Sequence, residues 1–283
     1  MALVKPVLLR GGFGFLEGPR WRDDTLWVSD IAARCVLQLD EAGQELASWP
    51  TPGRPSGLGW LPTGELLVVL MGERRVLRRA GDEWEVHADL ARLTSAPLND
   101  MVVSRAGNAY VTGLGYDVET EQRRTTNIVL VRPDGAAEVQ QPDLWRPNGC
   151  VITPDESTFL VVESRVHRVT ACSISGDGTL RDSRVFATLP SGSWADGMCL
   201  DAAGGMWVAD PKGNRCFYIT ADGNIAGTID TGPTPCIACT LGGADGRTLF
   251  LLLSQLGEFD ELAVRKQARI ETVRADTPGA GSP

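Results

Sequence analysis

A polar residue, usually followed by glycine, leads a short apolar run at six places along the chain, and after a turn a second apolar run answers it. The leading segments are Glu17-Gly-Pro-Arg-Trp21, Ser56-Gly-Leu-Gly-Trp60, Asn99-Asp-Met-Val-Val103, Asn148-Gly-Cys-Val-Ile152, Asp196-Gly-Met-Cys-Leu200 and Cys236-Ile-Ala-Cys-Thr240. Between the paired runs stand Asp23-Asp24, Pro62-Thr63-Gly64, Arg105-Ala106-Gly107, Pro154-Asp155, Gly204-Gly205 and Asp245-Gly246, residue types that supply tight-turn backbone angles. The runs are rich in Val, Leu, Ile and Trp, which pack well on a pleated surface. Each unit therefore predicts a β-hairpin.

The leading residues are 39, 43, 49, 48 and 40 residues apart. Four strands of about 5 residues with connections of about 4–6 make a unit of roughly 40, so each repeat has room for two further strands. Candidates are 35–39 and 46–49, 75–79 and 84–88, 128–132 and 137–141, 168–173 and 184–187, then 216–219 and 225–229. The chain reads as all-β, a six-bladed β-propeller over residues 1–283 with a central metal-binding channel. Only 47 residues follow Cys236, so a strand from the first 16 residues is expected to complete blade six, with the tail from about 272 to 283 disordered. The period runs through the middle of the chain without a linker, which argues against two domains.

The first strand of each propeller blade lines the central channel, so equivalent positions converge there. Those positions are Glu17, Ser56, Asn99, Asn148, Asp196 and Cys236; four of the six carry carboxylate or amide oxygens. Asn or Asp before Gly often only forms a turn, but Glu17 is a poor turn former in the same register. Two carboxylates aimed at one spot are costly without a cation, and their charge balances one divalent ion. All-oxygen donors favour a hard ion, Ca²⁺ first, then Mg²⁺ or Mn²⁺, with Zn²⁺ less suited.

The Glu17 opening with Trp27-Val-Ser-Asp30, Leu98-Asn-Asp-Met101 followed by Tyr110-Val-Thr-Gly113, Arg146-Pro-Asn-Gly-Cys150, Val162-Glu-Ser164 and Ala195-Asp-Gly-Met198 with Trp207-Val-Ala-Asp210 carry a resemblance over nearly the whole chain. The sequence resembles the senescence marker protein and gluconolactonase family, the regucalcin-like propellers that also include diisopropyl fluorophosphatase. The resemblance implies a divalent metal in the channel and hydrolysis of lactones or related esters. It implies that Glu17, Asn148 and Asp196 are metal ligands, that Asn99 binds the ion or the substrate beside it, and that Asp196 doubles as general base. Members acting on sugar lactones carry an arginine two residues before the equivalent of Asn99, where this chain has Pro97. A polyhydroxylated sugar lactone is therefore not expected. Leu98, Trp145 and Trp194 either form an apolar rim for a less polar lactone or ester or pack within the blades, and Tyr116 and Asp117 are placed in a loop over the same mouth.

The remaining chemistry narrows the choice. With 27 Lys+Arg against 36 Asp+Glu the net charge is −9, and no basic cluster interleaved with aromatics offers a nucleic-acid surface. No apolar stretch approaches the ~20 residues of a membrane helix, and the start of the chain lacks a convincing cleavage site, so the reading is cytoplasmic. Seven cysteines without a disulfide spacing pattern are expected as reduced core thiols, Cys236 and Cys239 included. His87 and His167 are the only imidazoles and no serine sits in a nucleophile elbow, which disfavours Ser-His-Asp catalysis. The sequence thus points to a metal-dependent hydrolase of a small-molecule lactone or carboxylic ester. The alternatives are phosphotriester hydrolysis at the same ion, or a non-catalytic calcium- or ligand-binding propeller.

Overall fold

Strands made almost wholly of apolar residues are buried on both faces, and strands richer in polar residues lie outermost. Leu66–Leu70 and Ala109–Gly113 are buried at every residue, whereas Glu45–Pro50 is largely exposed. The computed structural model describes residues 5–116, 122–140 and 143–281. They form six antiparallel four-stranded sheets arranged as the blades of a propeller. Blade one holds Leu16–Arg22, Thr25–Asp30, Cys35–Leu39 and Glu45–Pro50; blade two holds Pro55–Trp60, Leu66–Leu70, Arg75–Ala80 and Glu83–Asp89. Blade three follows with Leu98–Val103, Ala109–Gly113, Val129–Val131 and Ala137–Val139, and blade four with Pro147–Ile152, Thr158–Glu163, Arg168–Ile174 and Leu180–Thr188. Met198–Leu200, Met206–Asp210, Arg215–Ile219 and Ile225–Asp230 make blade five. Cys236–Gly242, Thr248–Leu253 and Ala268–Arg274 make blade six, and the N-terminal strand Val7–Phe13 completes it by pairing with Ala268–Arg274.

Neighbouring blades meet through apolar seams. Val69, Val76 and Leu90 pack with Met101, Val103 and Val111 between blades two and three, and Leu160 and Val162 pack with Met198 and Val208 between four and five. Each fully buried side chain of this size contributes about 1.5–3 kcal/mol. The glycine after the leading residue serves the same closure: a Cβ on Gly57 would stand 2.4 Å from Met101 N, and one on Gly149 would stand 2.5 Å from Asp196 O. Bare backbone lets successive inner strands touch around the channel, and Gly149 N–H donates to Asp196 O at 3.1 Å.

A bulge sits at the leading position of several inner strands. Register shifts fall between Glu17 and Arg20, Pro55 and Leu58, Leu98 and Met101, and Pro147 and Cys150. Bulges break the two-residue alternation and re-aim a side chain, here at the residues of the candidate site.

Two expectations change. The end of the chain, expected to be disordered, is tied to the body: Thr272–Arg274 belongs to the third strand of blade six, and the segment after it runs onto blade five. Ala202 N–H donates to Pro278 O at 2.8 Å and Ala280 N–H to Leu200 O at 3.1 Å, so the tail satisfies backbone groups that the short inner strand of blade five leaves open. A helix, α1 (Phe259–Arg265), was not foreseen. It stands on the face of the leading residues, with Phe259 edge-on to Phe15 at 5.3 Å and Asp260 paired with Arg54 at 2.9 Å. Among the described residues no helix is long and apolar enough to cross a membrane. All seven cysteines are free thiols, and Cys236 and Cys239 are buried in the inner strand of blade six. Asp117 and Gln141, named in the sequence reading, lie outside the described residues.

Candidate active site

Inner strands of blades one, three and four, and the turn entering blade five, bring Glu17, Asn99, Asn148 and Asp196 to one mouth of the channel. Glu17, Asn99 and Asn148 are buried. Asn99 Nδ2 donates to Asn148 Oδ1, and the Asn148 side chain lies near enough to Asp196 to favour its charged form. Asp196 is half-buried in the lining of a cavity of about 160 Å³, and its Oδ1 is shielded from solvent with no hydrogen-bond partner.

The electrostatics of this group are unfavourable as it stands. Burial pushes the Glu17 carboxyl well above the ordinary range, and the charges of Asp196 and Asp100 push it further, against the pull of the Gly18 N–H. Burial likewise pushes Asp196 up to about 7, with the Arg146 charge and the Asn148 side chain opposing it. An orphaned buried carboxylate oxygen beside a second repelled carboxylate is an arrangement that a cation relieves. Among the described residues no three His, Cys, Asp or Glu side chains converge. The donor set is two carboxylates with amide oxygens, and it fits a hard divalent ion better than zinc.

Asp100 was missed in the sequence. It is buried, its Oδ1 accepts from Arg20 Nη2 at 2.8 Å, and its charge acts on both site carboxylates. The available signal was its place: Asp100 stands where blades one, two, four and five have glycine after the leading residue. Arg146 was also missed. It lines the cavity, its Nη1 donates to Tyr116 O at 3.0 Å, and its guanidinium lies 5.8 Å from the Tyr116 ring centroid.

The expected apolar rim is not what surrounds the cavity. Leu98 is 1% exposed and belongs to the seam between blades two and three, so it is core. Trp145 is not among the lining residues; its backbone N–H donates to Glu163 Oε2 at 2.8 Å. Tyr116 is buried and is not among the lining residues either. Trp194 does line the cavity, together with Arg146, Arg165, Ser164 and Leu256. The Arg165 guanidinium lies over its indole at 4.2 Å. His167 fastens the loop before Trp194, its Nδ1 standing 2.6 Å from Ser193 O, while half-buried His87 reaches Arg132 O at 3.2 Å.

Residues 15–255 match the family described as SMP-30/Gluconolactonase/LRE-like region. The chain belongs to this family. The gluconolactonase of Zymomonas mobilis is 28% identical over 55% of this chain and 48% of its own length, so the chain spans about half of that relative. The 6-deoxy-6-sulfogluconolactonase of Pseudomonas putida is 25% identical over 94% of this chain and 93% of its own. Among solved structures, the calcium-binding protein regucalcin from Agrobacterium tumefaciens superposes with a TM-score of 0.83 at 20% identity, covering 99% of this chain and 97% of that one. The latter likeness shows the six-bladed propeller. The family resemblance read from the motifs holds.

Proposed function

We propose that the protein hydrolyses a small lactone, with Glu17, Asn148 and Asp196 holding a divalent cation and Asn99 beside them. The observation that carries this reading is the solvent-shielded, unpartnered Asp196 Oδ1 in the cavity lining, next to a second carboxylate that burial and repulsion hold toward its neutral form. Relatives named as lactonases support the reaction class. When bound, the ion supplies Lewis-acid polarisation of the ester carbonyl.

The chain's own groups do the rest. Asp196 takes a proton from a water molecule as its oxygen bonds to the carbonyl carbon, and it returns that proton to the ring oxygen as the ester C–O bond breaks. Asn148, held by Asn99 Nδ2 and standing beside Asp196, steadies the charged carboxylate that moves the proton. Trp194 and Leu256 wall the cavity and limit water around the reacting ester.

The test is hydrolysis of a panel containing a hexonolactone, an aromatic lactone and a phosphotriester, before and after EDTA and with Ca²⁺, Mg²⁺ or Mn²⁺ restored. Lactone turnover that is lost on chelation and regained with metal is the expected result. Turnover confined to the phosphotriester would replace the substrate class, and a tightly bound ion without turnover on any substrate would make this a binding propeller.

A further inference from the structure

Ser56 belongs to the same ring of leading positions as Glu17, Asn99, Asn148 and Asp196, and the cation site proposed above gives it no task. It is 1% exposed, yet its Oγ has no hydrogen-bond partner. The other buried serines, Ser29, Ser104, Ser164, Ser193 and Ser254, each have one. A hydroxyl turns about its C–O bond to suit its surroundings, so one left unmatched inside a protein is uncommon and costs stability. Among the described residues only one other leading position, Asp196, leaves a shielded side-chain atom unpartnered.

The backbone around Ser56 is fixed on both sides. Its carbonyl accepts from Ser29 Oγ at 2.7 Å, a Cβ on Gly18 would stand 2.4 Å from that same oxygen, and one on Gly57 would stand 2.8 Å from Asp100 Cα. Ser56 is thus wedged between the residue after Glu17 and the residue after Asn99. The register break between Pro55 and Leu58 repeats those that turn Glu17, Asn99 and Asn148 into the channel. With six blades, blade two stands across the channel from blade five, so the two unpartnered oxygens come from opposite sides of it.

A serine carries its oxygen one bond closer to the backbone than Asn or Asp does, and two bonds closer than Glu. Its hydroxyl therefore stops short of an ion held by Glu17, Asn148 and Asp196. Ca²⁺ takes about six to eight oxygens, more than these three and Asn99 supply, and water makes up the rest. A water enclosed in protein needs about three hydrogen-bond partners, and Ser56 Oγ is free to be one of them. Building on the cation site of the proposed hydrolase, we infer that Ser56 is a positioning residue of that site, its hydroxyl holding a water molecule in the ion's shell. A neutral oxygen in this place leaves the charge balance set by Glu17 and Asp196 unchanged.

Calorimetric Ca²⁺ titration and melting in EDTA separate this role from packing. Ser56→Ala should weaken Ca²⁺ binding by about three- to tenfold. Its melting temperature in EDTA should stay level or rise, because the variant loses a hydroxyl that had no partner. Ser29→Ala, which strips a hydroxyl that has one, should lower that melting temperature. Tb³⁺ bound in place of Ca²⁺ reports its water ligands through luminescence lifetimes in H2O and D2O, and their number in Ser56→Ala should be no higher than in the wild type. Wild-type Ca²⁺ affinity in Ser56→Ala, or a lower melting temperature in EDTA, overturns the role of Ser56 and leaves the cation site. A higher water number would make Ser56 a direct ligand and overturn the water-held form. Absence of ion binding in the wild type removes the site and the inference together, whereas ion binding that Ser56→Ala weakens, without lactone turnover, removes the hydrolase and leaves the inference.

Discussion

Asp210 Oδ1 accepts the backbone N–H of Trp194, two residues before Asp196, while its Oδ2 accepts from Arg215 Nε, each at 2.8 Å. The same clamp recurs around the channel. Glu163 takes Trp145 N–H at 2.8 Å and Arg168 Nε at 2.7 Å, and Asp30 takes Phe15 N–H at 3.0 Å. An acid at the end of a blade's second strand thus anchors the loop that delivers a residue to the site. Asp210→Ala leaves those donors unmatched. Its expected cost is roughly 2–4 kcal/mol in urea unfolding, below the roughly 3–5 of a fully enclosed ion pair because Arg215 is partly exposed. Asp210→Asn, which still accepts a hydrogen bond, should cost less. An Asp210→Ala protein within about 1 kcal/mol of the wild type would show that the clamp is not structural.

Gly149 offers a second test because its role is steric. A Cβ there would stand 2.5 Å from Asp196 O and 2.9 Å from Met198 N, both rigid backbone atoms. Gly149→Ala should destabilise the chain by about 1–3 kcal/mol. It should also lower turnover beyond what the unfolded fraction explains, since Asn148 and Asp196 are displaced together. Gly176→Ala is the contrast: its Cβ would meet nothing within 4 Å and its φ lies outside the left-handed region. A Gly149→Ala protein with wild-type melting temperature and kcat would contradict this packing account.

Most of the architecture was legible because a propeller states its period six times. The hairpin turns and the ten candidate strands of blades one to five follow from repeated local patterns, and the closure of blade six by the N-terminal strand from the few residues left after Cys236. The leading residues were legible for the same reason. What escaped is whatever the repeat does not encode: α1 is an insertion in one blade, and the tail is held by hydrogen bonds to blade five that leave no hydrophobic signature. The rim was misread because an apolar residue beside a ligand position, such as Leu98, looks the same in sequence whether it faces the channel or the blade seam. Register around the bulge decides it, and the bulge is a backbone event.

The metal-free protein should have a distinctive pH response. Burial holds Asp196 up at about 7 against an ordinary 3.8, and Glu17 is raised in the same direction. A carboxyl whose pKa is higher in the folded chain favours folding when protonated. The benefit is complete below the unfolded value and is lost as pH rises through the folded one. In EDTA, the melting temperature should therefore fall between pH 5 and 8 more steeply in the wild type than in Asp196→Asn, by roughly several degrees. Ca²⁺ should flatten the wild-type curve, because it stabilises the charged form most at high pH. Parallel curves for the two proteins in EDTA would mean that Asp196 does not titrate in that window.

Asp196→Asn and Glu17→Gln separate proton transfer from ion binding. The amide of Asn keeps an oxygen for the cation and for the contact with Asn148, yet it cannot take a proton from water. Its kcat should fall by about 10²–10⁴ with little change in fold, measured with metal at saturation. Glu17 touches the same site through charge: its side chain accepts the Gly18 N–H at 2.7 Å, and its burial is tolerable when its charge is matched. Glu17→Gln should weaken metal binding and raise the concentration of Ca²⁺ needed for half-maximal rate, with kcat largely recovered at high metal. If Asp196→Asn instead kept more than about a tenth of the wild-type kcat, the proton would have to go elsewhere. If Glu17→Gln kept full activity in EDTA, the two carboxylates would not be there to hold an ion.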